Sequence, residues 1–164
     1  LGTAVVEPRV RAAISLDLIF ATPDFDPVDE NVLPGNPRRL EDTNAAILYV
    51  GADSGSQICQ AAPGGGGLLY DFTNPPAMEI RIVDADHMDF IDSLVGFSYL
   101  GQLFCPTNPE PPGPQEVRDI TMRYFIPWFN VYLKGEEDFR PYFAGDISFT
   151  DESDGILAAR RNLE

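Results

Sequence analysis

The only histidine of the chain lies in an acidic segment directly after an apolar run. His87 belongs to VDADHMDFID, with acidic residues on both sides. An imidazole within reach of a carboxylate can activate a serine hydroxyl, because the imidazole takes the proton while the acid holds the ring tautomer and stabilises the imidazolium. A lone histidine is more often structural or on the surface. The position of His87 at the end of a predicted strand favours a catalytic base.

Two aspartates are candidates for the acid that orients this base. Asp17 ends the first apolar run, in AAISLDLIF, where burying a carboxylate requires a hydrogen-bonding partner. Asp53 follows the second run, in YVGADSGS, where the small polar surroundings fit a loop cap equally well. We favour Asp17 and keep Asp53 as the alternative.

The chain has no serine in the setting expected of a nucleophile. The usual elbow is G-x-S-x-G between a strand and a helix. In GADSG, at 51–55, Ser54 is out of register, and Ser98 in VGFSYLG falls in a predicted helix. We therefore expect the nucleophile to lie outside these 164 residues.

Three apolar runs predict the strands that position these groups. Residues 10–20 and 45–51 read as buried parallel strands, and 78–84 alternates as a strand near a sheet edge would. Each run ends beside an aspartate or the histidine. In open α/β sheets, catalytic groups gather at the carboxyl ends of the strands.

The second half of the chain predicts helices. A short helix is expected over 89–100, then a proline-dense loop over 105–115, then a long helix over 116–134 that Pro127 should kink and Gly135 should end. The polar residues 146–164 are expected to form a peripheral tail. The order indicates an α/β fold, with 1–145 as part of one domain. Since three strands leave an edge and a face uncovered, we expect an N-terminal half to complete it.

The acidic composition of the chain makes some classes of binding partner unfavourable. Twenty-six acidic and eleven basic residues give a formal charge of −15, which disfavours binding to nucleic acids and anionic membranes. No apolar run reaches the length of a membrane span. The first residue is Leu1, so we expect the native beginning to have been removed, and the compartment stays open.

Cysteines and acidic loops offer weaker hypotheses. Cys59 and Cys105 lie in Pro/Gly-rich segments and could form a disulfide, which would fit a secreted or extracytoplasmic protein, or could be unrelated thiols. Neither a metal nor a cofactor is expected. The glycines at 64–67 lack the rest of a phosphate-binding loop. A calcium-binding loop at 24–30 is disfavoured, because its acidic residues lack the EF-hand arrangement.

Several segments together resemble a known enzyme group. AAISLD, CQAAPGGGGLLYDFTNPPAMEIRIVDADHMDFID and FIPWFNVYLKGEEDFRPYF are similar to segments of the α/β-hydrolase serine esterases that include chlorophyllases and plasma-type platelet-activating-factor acetylhydrolases. Dienelactone-hydrolase-like and polyester-hydrolase-like enzymes are more distant. The chain departs from the chlorophyllase pattern at Asp86, where a glycine is usual, and at Gln60 and Ala61, which interrupt a Cys-Ala-Pro loop.

The resemblance implies a function for the whole enzyme. It matches Asp17 to the triad acid and His87 to the triad base, and places the serine and the oxyanion hole on the absent N-terminal half. The expected activity is hydrolysis of a carboxylic ester of a small molecule, lipid or polymer. The alternative is a non-catalytic, hydrolase-like binding module.

Overall fold

The computed structural model describes residues 7–16, 43–53, 69–90 and 112–164, apart from the side chains of His87 and Met88. Its strands are β1 (Ala12–Leu16), β2 (Ala46–Ala52), β3 (Ala77–Ile82) and β4 (Leu157–Asn162). Its α-helices are α1 (Pro114–Phe129), α2 (Pro141–Ala144) and α3 (Asp146–Ser153). Short 3-10 turns span His87–Phe90 and Glu137–Phe139.

The four described strands form one open sheet in the order β1-β2-β3-β4. β1, β2 and β3 are parallel, with Ile14 beside Leu48 and Val50 beside Ile80, whereas β4 runs antiparallel to β3. The predicted α/β fold with a mainly parallel sheet is confirmed at this level. The three predicted strands are present, with the described part of the first covering Ala12–Leu16.

β2 is apolar along its length because both faces of the sheet are covered there, as in other parallel sheets, whereas β3 also carries Glu79 and Arg81. On one face, Leu48, Ile80 and Trp128 belong to the main core, and Trp128 of α1 donates from Nε1 to the backbone oxygen of Ala46 at 3.3 Å. Helix α1 therefore packs directly on the central strands.

The opposite face of the sheet buries polar groups in pairs. The Tyr49 hydroxyl lies 2.6 Å from Thr73 Oγ1, and Thr73 donates to the backbone oxygen of Leu69, also at 2.6 Å. Since that donation uses the Thr73 proton, the Tyr49 hydroxyl is the donor to Thr73. The Tyr49 and Thr73 hydroxyls are thus both satisfied.

Helix α1 begins at a proline, and the helical segment that continues it ends at a glycine, as helix-capping preferences predict. Pro114 occupies its first turn, where the missing N–H is not needed. After Phe129 the chain continues as a π-helical turn, Asn130–Lys134, and stops at Gly135, whose φ of 75° is the left-handed conformation that glycine adopts without strain. The prediction of a long helix ended by Gly135 is confirmed.

Residues 146–164, expected to be a peripheral tail, instead contain α3 and a strand of the sheet. Leu157 is buried in the core, and Arg160 pairs with Glu79 on β3. Ion pairs satisfy the charged side chains of β4, so a strand forms from a sequence whose polar composition predicted a tail. β4 also makes β3 an interior strand of the described sheet, where the sequence suggested a position near the edge. None of the described helices is long and apolar enough to span a membrane.

Candidate functional site

The carboxyl ends of β1, β2 and β3 lie at the same edge of the sheet because the three strands are parallel. Leu16 is the last residue of β1 and immediately precedes Asp17, which lies outside the described residues. Asp53 follows β2 and is exposed, and its backbone N–H donates to Ile82 O at 3.1 Å. This edge is where the sequence predicts the site.

The segment after β3 carries His87 away from the sheet in a tight turn. The Val83 N–H donates to Ile156 O at 3.0 Å, and Asp84 has a φ of 59°, a left-handed conformation that aspartate tolerates better than most residues. The chain then enters the 3-10 turn His87–Phe90. His87 is thus the first residue of a short, defined turn beside the carboxyl ends of the strands.

Two buried carboxylates flank His87 in this turn. Asp86 is 3% exposed and Asp89 is 5% exposed. The Asp86 N–H donates to Asp89 Oδ2 at 2.9 Å, and the Asp89 N–H donates to Asp86 O at 3.1 Å. Burial raises the pKa of Asp89; the hydrogen bond from Asp86 lowers it, and the charge of Asp86 raises it further. Two acidic groups are therefore held close together out of water.

A cavity of about 250 Å³ connects this turn to the end of β1. Its wall is mostly apolar, and Asp89, Arg118 and Thr121 contribute polar side chains. The residues that define it for the argument below are Leu16, Asp89, Phe90, Arg118, Thr121 and Phe125. The cavity therefore touches the residue before Asp17 and the residues just after His87.

Several predicted features lie outside the described residues. These are Asp17, Cys59, Cys105, the two serines weighed as nucleophiles, the acidic loop at 24–30, the glycines at 64–67 and most of the predicted helix over 89–100. The described start of that helix is part of the 3-10 turn. Within the described ranges, no three His, Cys, Asp or Glu residues are grouped as they would be around a metal ion.

Asp89, whose side chain accepts from the Asp86 N–H, is not among the residues predicted from the sequence. A signal for it was present: Asp86 and Asp89 are three residues apart, the spacing at which a carboxylate can reach back to the N–H at the start of a helical turn. The structure adds that both side chains are buried, which spacing could not indicate.

No protein-family model matches this chain, and no curated protein matches it either. The described fold defines the class of protein: an α/β protein with an open, mostly parallel sheet flanked by helices. The residues at the carboxyl edge of that sheet are the candidate site.

Proposed function

We propose that this chain contributes the base and the acid of a Ser-His-Asp triad to a carboxylic ester hydrolase with an α/β-hydrolase fold. His87 is the base and Asp17 the acid. The observation that carries the proposal is the shared cavity, since Leu16, which precedes Asp17, and Asp89, two residues after His87, line the same space. The turn after β3 thus reaches the end of β1, although β2 separates the two strands.

The chemistry assigns one step to each group. The serine oxygen attacks the ester carbonyl while His87 takes the serine proton, and His87 then gives that proton to the departing alcohol. Asp17 orients the imidazole and stabilises its charged form. Water then attacks the acyl-enzyme, with His87 removing a proton from the water and returning it to the serine.

The position of Asp53 supports Asp17 as the acid. Asp53 is exposed, and the described interaction that fixes its position is the backbone hydrogen bond to Ile82. An exposed carboxylate is screened by water, which weakens its interaction with an imidazole. Leu16, the residue before Asp17, lines the same cavity as Asp89 in the turn that carries His87.

The serine and the oxyanion-hole N–H groups come, in this proposal, from an N-terminal half of the same hydrolase, cleaved from this chain or separate from it. This chain has no G-x-S-x-G elbow. Among the described strands, β1 pairs with β2, and Leu16 at its end is 49% exposed. That geometry is compatible with a further strand next to β1.

The test uses the hydrolase that contains this chain together with its N-terminal half. A fluorophosphonate probe should label that protein, and the protein should hydrolyse p-nitrophenyl esters. His87→Ala should lower kcat by about 10⁴-fold or more, because the serine loses its base. Asp84→Asn, a charge change at an exposed residue of the same segment, is the matched control and should retain activity.

Two experimental results would contradict the proposal. If the intact protein binds no fluorophosphonate and hydrolyses no ester, the chain belongs to a non-catalytic module with the same scaffold. If labelling occurs and His87→Ala retains wild-type turnover, the base is another residue and the triad assignment is wrong.

A further inference from the structure

The cavity that joins the end of β1 to the 3-10 turn and to helix α1 has a predominantly apolar wall and a volume of about 250 Å³. Leu16, Phe90, Met122 and Phe125 are among the apolar side chains that line it. Leu16 is 49% exposed and Met122 is 41% exposed, so the apolar wall continues to the surface of the protein. A concave, mainly apolar surface that a small molecule can reach is the usual form of a binding site.

Thr121 lines the same cavity and carries a hydroxyl that lacks a partner. The residue is 7% exposed, and its Oγ1 forms no hydrogen bond with any described residue. Threonine hydroxyls within helices often bond to a carbonyl of the preceding turn, and a buried one left unpaired is uncommon. Because threonine has two χ1 rotamers that fit a helix, this hydroxyl can turn to a ligand oxygen in the cavity.

The charged side chains of the wall favour a neutral ligand. Asp89 and Arg118 both line the cavity, so one acidic and one basic side chain offset each other. Asp89 is buried, and its carboxylate already accepts from the Asp86 N–H at 2.9 Å. An ion that entered this space would lose its hydration without meeting an excess of opposite charge.

The volume of the cavity sets the size of the group that fits. An apolar cavity of about 150 Å³ holds benzene, so a cavity of this size holds roughly ten non-hydrogen atoms. We infer that the cavity binds the apolar part of the ester substrate, as a compact, uncharged group such as a substituted phenyl ring, with one oxygen that pairs with the Thr121 hydroxyl. This inference rests on the proposed function, because only that function makes the ligand an ester.

Three ligands that share one methyl-substituted ring separate the effects of shape, hydrogen bonding and charge. p-Xylene is apolar throughout, p-cresol carries a hydroxyl, and 4-methylbenzoate carries a carboxylate. Calorimetric titration of the intact hydrolase measures each affinity, and none of the three is an ester that the enzyme could consume. p-Cresol should bind most tightly, and 4-methylbenzoate about tenfold more weakly or worse, because the wall supplies no excess positive charge. Tighter binding of 4-methylbenzoate than of p-cresol would overturn the inference.

Thr121→Val tests the hydroxyl, because valine replaces it with a methyl group of similar size. The variant should lower the affinity for p-cresol by about five- to tenfold and leave that for p-xylene unchanged, since only p-cresol pairs with the hydroxyl. Without ligand it should be at least as stable as the wild type, because the lost Oγ1 has no partner among the described residues. An unchanged affinity for p-cresol, or an equal loss for both ligands, would contradict the hydrogen bond.

Met122→Trp tests the location of the site. The larger side chain takes up space in the cavity and should weaken the binding of p-cresol and p-xylene by about tenfold or more. Leu133→Trp is the matched control, because Leu133 is an apolar residue of similar exposure, 44%, that does not line the cavity. It should keep wild-type affinities. If Met122→Trp binds both ligands as the wild type does, they bind elsewhere and the inference is wrong.

Ester hydrolysis connects the cavity to the proposed function. p-Cresol should inhibit the hydrolysis of p-nitrophenyl acetate competitively, and Met122→Trp should raise KM more than it lowers kcat. If p-cresol binds in the cavity of a protein that hydrolyses no ester, the proposed function fails and the cavity keeps only its choice of ligand. If esters are hydrolysed while p-cresol neither binds nor competes, the function stands and this inference fails.

Discussion

Arg160 on β4 lies directly opposite Glu79 on β3, and its Nε donates to Glu79 Oε2 at 2.5 Å. The Glu79 side chain is only 5% exposed, whereas that of Arg160 is 43% exposed. Arg81 also pairs with Glu79, at 3.2 Å. An acid in the middle of a sheet is tolerated because two cations reach it from the same face.

Arg160→Ala is expected to lower the free energy of unfolding by about 1–2 kcal/mol, because it leaves a buried carboxylate with fewer partners. Partial exposure of the arginine keeps the loss below that of a fully buried pair. Urea denaturation measures it. Arg9→Ala, in the exposed pair with Glu7, is the control and should leave the free energy of unfolding nearly unchanged. Equal effects at both sites would contradict a structural role for the Glu79 pair.

A second buried carboxylate joins α1 to α3. Asp151 accepts from Arg123 Nη1 at 2.6 and 2.8 Å and from the Tyr124 hydroxyl at 2.6 Å. Tyr124→Phe should lower the free energy of unfolding by about 1–2 kcal/mol, since Asp151 loses one donor. Urea denaturation measures this change, and Tyr142→Phe, at a half-buried tyrosine, is the control. If Tyr124→Phe leaves the free energy of unfolding unchanged, Arg123 alone satisfies Asp151.

Alkaline stability should depend on Tyr49. Burial, more than the nearby charge of Glu79, raises the pKa of Tyr49 to about 12. The folded state therefore holds this proton more tightly than the unfolded state, so its contribution is present below about pH 10 and is lost as pH rises towards 12. Each pH unit in that window removes up to about 1.4 kcal/mol.

Tyr49→Phe tests this sign. The variant should be less stable than the wild type by about 1 kcal/mol at pH 8, because it loses the hydrogen bond to Thr73. Between pH 10 and 12, where the unfolded wild type ionises this tyrosine, the variant should lose less stability than the wild type. Urea midpoints measured at several pH values provide the comparison. If the midpoints of the variant and the wild type fall in parallel between pH 10 and 12, Tyr49 is not the group that causes the alkaline loss of stability.

The choice of triad acid predicts unequal effects of two matched variants. In the complete hydrolase, Asp17→Asn should lower kcat by about 10⁴-fold, because the imidazole loses its tautomer control. Asp53→Asn should retain most of the turnover. Steady-state kinetics with p-nitrophenyl esters measures both. If Asp53→Asn lowered kcat strongly while Asp17→Asn kept full activity, Asp53 would be the triad acid.

Apolar patterning predicted β1, β2 and β3, because a strand covered on both faces is mostly apolar, although β3 also carries Glu79 and Arg81. It failed at β4, where Arg160 and Arg161 made the segment read as a polar tail. Arg160 is satisfied by Glu79, and Arg161 donates to Phe143 O at 2.6 Å. Both partners are distant in sequence, so a local pattern carries no trace of them.

Local periodicity, backbone preferences and chain order were enough to predict the parallel strands, the long helix that stops at Gly135, and the position of His87 after a strand. The packing of the folded chain was needed to show that Asp86 and Asp89 are buried together and that the turn containing them shares a cavity with Leu16. Burial and convergence depend on how distant segments pack around a residue, and no neighbouring residue in the chain encodes that packing.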